Sequence, residues 1–134
     1  MALPPVLAAA VFLCVIAASP AAADPCEAPL PRNGEVFAGQ VRYVGDGDGL
    51  CVGPSSDPAT WIEVRVADFY APELNEPGGR EAKVTLERIA KGRPAKCIAG
   101  HRSWDRVVAV CEIGGRSVGD MMRAAGVSEG GRGR

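Results

Sequence analysis

Val64-Arg65-Val66-Ala67-Asp68-Phe69-Tyr70-Ala71-Pro72-Glu73 is the stretch on which the reading of this chain turns. Val64 and Val66 alternate with Arg65 and Ala67, the two-residue period of a strand whose valines enter a core while Arg65 faces the other way. Pro72 ends strand pairing, because it has no N–H to donate and holds Ala71 extended. Glu73 therefore stands just past a strand end on a stiff corner, where a rigid element can aim a loop side chain.

Upstream of this strand, Val36 to Val44 reads as a first strand with a bulge near Gly39, and Leu50-Cys51-Val52 as a short second one. The turn Gly45 to Gly49 joins them, a polar loop follows from Gly53 to Ala59, and Trp61 to Val66 is the third strand. Downstream, a loop over Leu74 to Gly79 enters a helix from about Gly79 to Lys91, where Ala82, Leu86, Ile89 and Ala90 recur at helical spacing. Gly92 and Pro94 stop it. Lys96 to Ala99 and Arg106 to Ile113 read as a hairpin centred near Trp104, followed by a Gly114-Gly115 turn. A second helix then runs from Val118 to Ala125 and closes at Gly126. Three strands, a helix, two strands and a helix do not alternate as βαβ units do, so a parallel sheet is disfavoured. The expected class is α+β, mainly β: a five-stranded antiparallel OB-fold barrel with two packed helices, able to bind oligonucleotides across one face.

The barrel is expected over 36–127, after an irregular lead-in over 24–35 that holds Pro25, Pro29 and Pro31. Ser128 to Arg134 is glycine and arginine and is expected to be a disordered tail. Ahead of the lead-in, the apolar run Val6 to Ala18 and the small residues Ala21-Ala22-Ala23 read as a signal peptide over 1–23, cleaved after Ala23. The product is then secreted or periplasmic, with no membrane attachment after cleavage; the alternative is an uncleaved anchor, which Pro4, Pro5 and Pro20 disfavour as a full spanning helix. All 15 basic and all 16 acidic residues follow Ala23, and a net charge of −1 gives no overall attraction to phosphate polymers. Anion binding must come from local placement. Of the 5 cysteines, Cys14 leaves with the signal, and an even number in an exported small domain reads as a disulfide framework. The hairpin favours Cys97 with Cys111, leaving Cys26 with Cys51. Zinc is the competing reading, but no C-x-x-C is present.

Val44-Gly45-Asp46-Gly47-Asp48, Val64-Arg65-Val66 ending in Ala71-Pro72-Glu73, Gly78 with Glu81-Ala82, Asp105-Arg106-Val107-Val108-Ala109-Val110 and Met122-Arg123-Ala124-Ala125-Gly126 occur in that order. Together they resemble the staphylococcal nuclease (thermonuclease) family over about Val36 to Gly126. The resemblance implies calcium-dependent cleavage of phosphodiester bonds in DNA or RNA by a monomer. Arg65 and Arg106 match the two phosphate-binding arginines, and Glu73 matches the general base on water. Asp48 matches a calcium ligand and Asp46 its neighbour in the same turn. Such chemistry is physically coherent, since guanidinium groups can grip the charged oxygens of a phosphodiester while a carboxylate activates water. A hard cation suits a site of carboxylates and backbone carbonyls, and the candidate metal set is Asp48, Asp46, Asp68 and the backbone of Ala71.

The chain departs from the family pattern at Tyr70, where a second calcium aspartate is usual, and a neutral phenol is a poor ligand for calcium. Asp68, two residues earlier, is expected on the same face and so is the candidate replacement. Gly49 stands for a usual threonine, and D-R-Y-G-R is reduced to Ser103-Trp104-Asp105-Arg106. Plainer accounts stand beside each assignment. Asp46 and Asp48 suit any glycine turn, Arg65 could be a surface strand residue, and Glu73 a solvated corner. His101 reads as an exposed turn residue. Trp61 and Trp104 read as packing, with base stacking as their alternative. Arg132 and Arg134 read as a frayed tail. The alternative function is a non-catalytic OB-fold module that binds nucleic acid or a protein partner.

Overall fold

A computed structural model describes residues 1–11, 13–14 and 24–130. The strands are β1 (Val36–Asp46), β2 (Gly49–Gly53), β3 (Ile62–Val66), β4 (Pro94–Ser103), β5 (Arg106–Ile113) and β6 (Arg116–Ser117). The helices are α1 (Gly79–Ala90) between β3 and β4, and α2 (Val118–Ala124) after β6. A single 3-10 turn at Pro58–Thr60, capped by the Asp57 carboxylate, interrupts the loop before β3.

Alternation decides which side of each strand enters the core. In β5, Val107, Ala109, Cys111 and Ile113 are buried, and in β4 so are Ala95, Cys97 and Ala99. On α1 the buried positions Ala82, Leu86 and Ala90 recur every four residues and lay one stripe on the sheet. Phe69 belongs to no strand yet is 0 % exposed, filling the core beneath the proline corner. Burying such a side chain contributes about 1.5–3 kcal/mol.

The strand order is β3-β2-β1-β4-β5-β6, and β3 also pairs with β5, so the ladder returns to its first strand. That last pairing is parallel, with Val64, Arg65 and Val66 opposite Val107, Val108 and Ala109. The wholly antiparallel sheet expected from the element order is therefore corrected. The sequence neighbours β1–β2, β2–β3, β4–β5 and β5–β6 do pair antiparallel, but β3 and β5 are separated by α1 and β4, a connection long enough for a parallel crossover. A sixth, two-residue strand was also unforeseen. The bulge expected near Gly39 lies elsewhere: register shifts fall between Val41 and Tyr43 and between Val44 and Asp46. Gly39 instead allows close approach, since a Cβ there would lie 2.6 Å from the Gly53 carbonyl carbon.

Cys26 bonds Cys51 and Cys97 bonds Cys111, the pairing favoured from the sequence, and zinc loses its candidate ligands. Cys14 is free and exposed. The lead-in is irregular but anchored, because the Glu27 and Ala28 N–H groups donate to the Pro58 and Trp61 carbonyls. The tail expected to be disordered is held at its start, where the Gly130 N–H donates to the Tyr70 carbonyl at 2.6 Å. Arg132 and Arg134 lie outside the described residues, as does the cleavage position after Ala23. Among the described residues no helix is long and apolar enough to cross a membrane.

Candidate functional site

The turn between β1 and β2 puts Asp48 where few carboxylates go: it is 7 % exposed, the one buried charged side chain among the described residues. Its Oδ2 accepts the Ala71 N–H at 3.1 Å, and its own N–H donates to Asp46 Oδ1 at 3.1 Å. Burial, then the charge and hydrogen bonding of Asp46, push the Asp48 carboxyl up to about 7 against the pull of the Ala71 amide and the Arg65 guanidinium. Gly47 fits this turn beneath the proline corner, because a Cβ there would meet Ala71 and Ala82 at 2.6 Å. The fold thus gathers Asp46, Asp48, Arg65 and Ala71, which are spread across two strands and two loops.

Arg65 is half-buried on β3, with its guanidinium carbon 5.0 Å from the centroid of the Tyr70 ring, a cation–π contact. The pair borders an open cleft of about 400 Å³ completed by Ala67, Val108, His101 and Ser103. His101 is exposed as expected, but it stands on β4 and not in the turn. Trp104 occupies that turn with φ 60 and is 95 % exposed, so the packing role expected for it is wrong. A two-residue hairpin tip offers an indole nothing to pack on. Trp61 is half-buried, and its Nε1 donates to the Ser55 carbonyl at 2.7 Å.

Arg106 opens β5, two residues before Val108, the partner of Arg65 across the parallel pair. Both arginines therefore share the outer face of β3 and β5. Arg106 does not stand free there. Glu63 lies on β3 two residues before Arg65, and its carboxyl is pushed up to about 7 by burial, a hydrogen bond with Asp24 and the charges of Asp105 and Asp24, partly offset by Arg106. Sequence reasoning passed over Glu63 and Asp24. Strand alternation could have found Glu63, since it shares a face with Arg65. Asp24 could not have been placed without the Cys26–Cys51 bond that ties the lead-in to β2.

Glu73 is exposed at the corner; its N–H donates to Glu76 Oε1, its carbonyl accepts the Glu76 N–H at 2.8 Å, and a Cβ on Gly79 would strike that carbonyl. No salt bridge among the described residues joins it to Arg65 or Arg106. Asp68 departs from expectation. It faces α2: one carboxylate oxygen is 4.0 Å from Arg123, and a Cβ on Gly119 would strike it. The physical reason is that β3 ends at Val66, so strand alternation no longer decides where residue 68 points. The buried Asp68 Oδ1 has no hydrogen-bond partner. Ala71 is buried at the corner, where its N–H meets Asp48 and its carbonyl lies beside Gly130.

The expected calcium set is therefore only partly gathered. Asp46 and Asp48 remain as carboxylates on one turn, while Tyr70 engages Arg65 and Asp68 is turned to α2. Among the described residues no three His, Cys, Asp or Glu side chains gather as a metal-holding group. No family model and no curated protein sequence matches the chain.

Proposed function

We propose that this protein is an exported, thermonuclease-like phosphodiesterase of the OB-fold type, acting on DNA or RNA as a monomer. The return of the sheet through the β3–β5 pairing, with α1 between β3 and β4, supports reading it as a closed five-stranded barrel of that type. The observation that carries the functional reading is Arg65, set beside the buried Asp48 turn at the mouth of the cleft. Its guanidinium grips a phosphodiester oxygen pair and neutralises charge that builds on the phosphorus oxygens. Arg106, on the same face, supplies the second grip once a phosphate displaces its carboxylate neighbours. Glu73 takes the proton of the attacking water as its oxygen bonds to phosphorus, the P–O ester bond breaks, and the released sugar oxygen takes a proton from solvent. Asp46 and Asp48 are the carboxylates that would hold calcium, the cofactor that the family resemblance implies, where it would add positive charge against the phosphate oxygens, and the hydrolytic step rests on the chain's own groups. The two disulfides and the candidate signal peptide support export.

A second reading, a module that holds single strands without cutting them, is favoured by Tyr70 under Arg65 and by the carboxylates around Arg106. Release of short products from single-stranded DNA, with calcium and with chelator, separates the two. The hydrolase reading expects release that Glu73→Gln abolishes. Equal cutting by that variant removes Glu73 from the mechanism. Binding without cutting, weakened as salt rises, establishes the second reading.

A further inference from the structure

Tyr70 is held from behind by a part of the chain that contributes nothing to the cleft itself. Its N–H donates to Glu129 Oε1 at 2.9 Å, and its carbonyl accepts the Gly130 N–H at 2.6 Å. Both polar groups of one residue's backbone are therefore bound by the segment that follows α2. Arg123, on the last turn of α2, ties the arrangement together. Its Nη1 donates to the Asp68 carbonyl at 2.7 Å and lies 3.8 Å from Glu129, while Nη2 donates to Asp120 at 2.9 Å. On the far side, the next residue's N–H donates to Asp48. The corner is thus clamped between the aspartate turn and the tail.

We propose that Arg123 and Glu129 are positioning residues of the Arg65 cleft, fixing the backbone of residues 68–71 so that the Tyr70 ring stays beneath the Arg65 guanidinium. The reasoning is geometric. Residues 67–71 lie beyond the last residue of β3 and have no ladder to set their dihedrals, although the Ala67 N–H still donates to the Ala109 carbonyl. A ring 5.0 Å from a cation needs its own backbone fixed, or the contact exchanges with solvent. The arrangement also gives Tyr70 a role of its own, as the floor on which Arg65 is oriented toward a phosphate. This inference rests on the proposed function for what Arg65 binds, but not for how the corner is held.

Two measurements on the full chain test it. In native-state amide hydrogen exchange, Glu129→Ala is expected to speed exchange of the Tyr70 N–H by about tenfold or more. Glu129→Gln keeps a carbonyl acceptor and restores protection, whereas a role for Glu129 through its charge alone would not give this split. Arg123→Ala is expected to speed exchange at Tyr70 and Ala71 together. Binding of an eight-residue oligothymidylate is then expected to weaken several-fold in Glu129→Ala and Arg123→Ala, and to recover in Glu129→Gln. The control is Lys83→Ala, whose side chain pairs with Glu87 on α1 and touches neither Arg123 nor the corner, and it should leave Tyr70 exchange near wild type. Unchanged Tyr70 exchange in Glu129→Ala, or equal loss in the Ala and Gln variants, overturns the proposal. If wild type itself does not bind the oligonucleotide, the phosphate reading of Arg65 fails, and the exchange experiment still decides the clamp.

Discussion

Replacing Asp48 by Asn should stabilise the protein at neutral and mildly alkaline pH, although it alters the most buried acid in the molecule. In the folded state this carboxyl is pushed from 3.8 up to about 7, chiefly by burial and by Asp46. Between those two values the native chain holds a proton that the unfolded chain has released, so stability falls as pH rises through the window. The full shift corresponds to about 4 kcal/mol, and sharing of charge with Asp46 argues for about 2–4 kcal/mol. Asn keeps an oxygen for the Ala71 N–H and gives Asp46 a donor in place of a like charge. Urea unfolding followed by tryptophan fluorescence, in chelator, reads the difference. At pH 8 the Asn variant should gain about 2–4 kcal/mol, a midpoint shift of about 1–2 M. At pH 4 the gap should shrink to under about 1 kcal/mol, because wild-type Asp48 is then neutral as well. Equal stability at pH 8, or parallel pH profiles for the two proteins, would refute the account of a carboxyl ionised at a cost.

Tyr70→Asp should raise calcium affinity at the aspartate turn, read by calcium titration of the thermal midpoint, since the corner is held through backbone groups that the substitution leaves in place. Removing the Cys97–Cys111 bond by paired serine substitution should cost about 3 kcal/mol in denaturant unfolding, the chain-entropy value for closing a loop of this length. Leu86→Ala deletes a fully buried side chain between α1 and the sheet; a loss of about 2–5 kcal/mol, measured the same way, is expected from transfer and cavity terms together. Glu63→Gln should strengthen oligonucleotide binding and leave Arg65-dependent binding intact, because it removes a competitor for Arg106; filter binding at several salt concentrations checks both.

What the residues determine alone is whatever depends on neighbours in sequence. The period of Ala82, Leu86 and Ala90 makes α1, the alternation from Val107 to Ile113 makes β5, and the hairpin between Cys97 and Cys111 brings that pair into register. Arg65 facing outward from a valine strand belongs to the same class. The remainder depends on contacts between distant segments, for which local pattern carries no term. Parallel closure of β3 on β5 follows from a long connection whose direction no window of sequence contains. Asp68 turns to α2 because its strand has ended and a glycine helix face leaves room for it. Asp24 reaches Glu63 because a disulfide docks the lead-in on β2, and Glu129 reaches Tyr70 across a separation of 59 residues. Periodicity fixes which way a side chain leaves its own backbone, but only tertiary packing decides what it meets there.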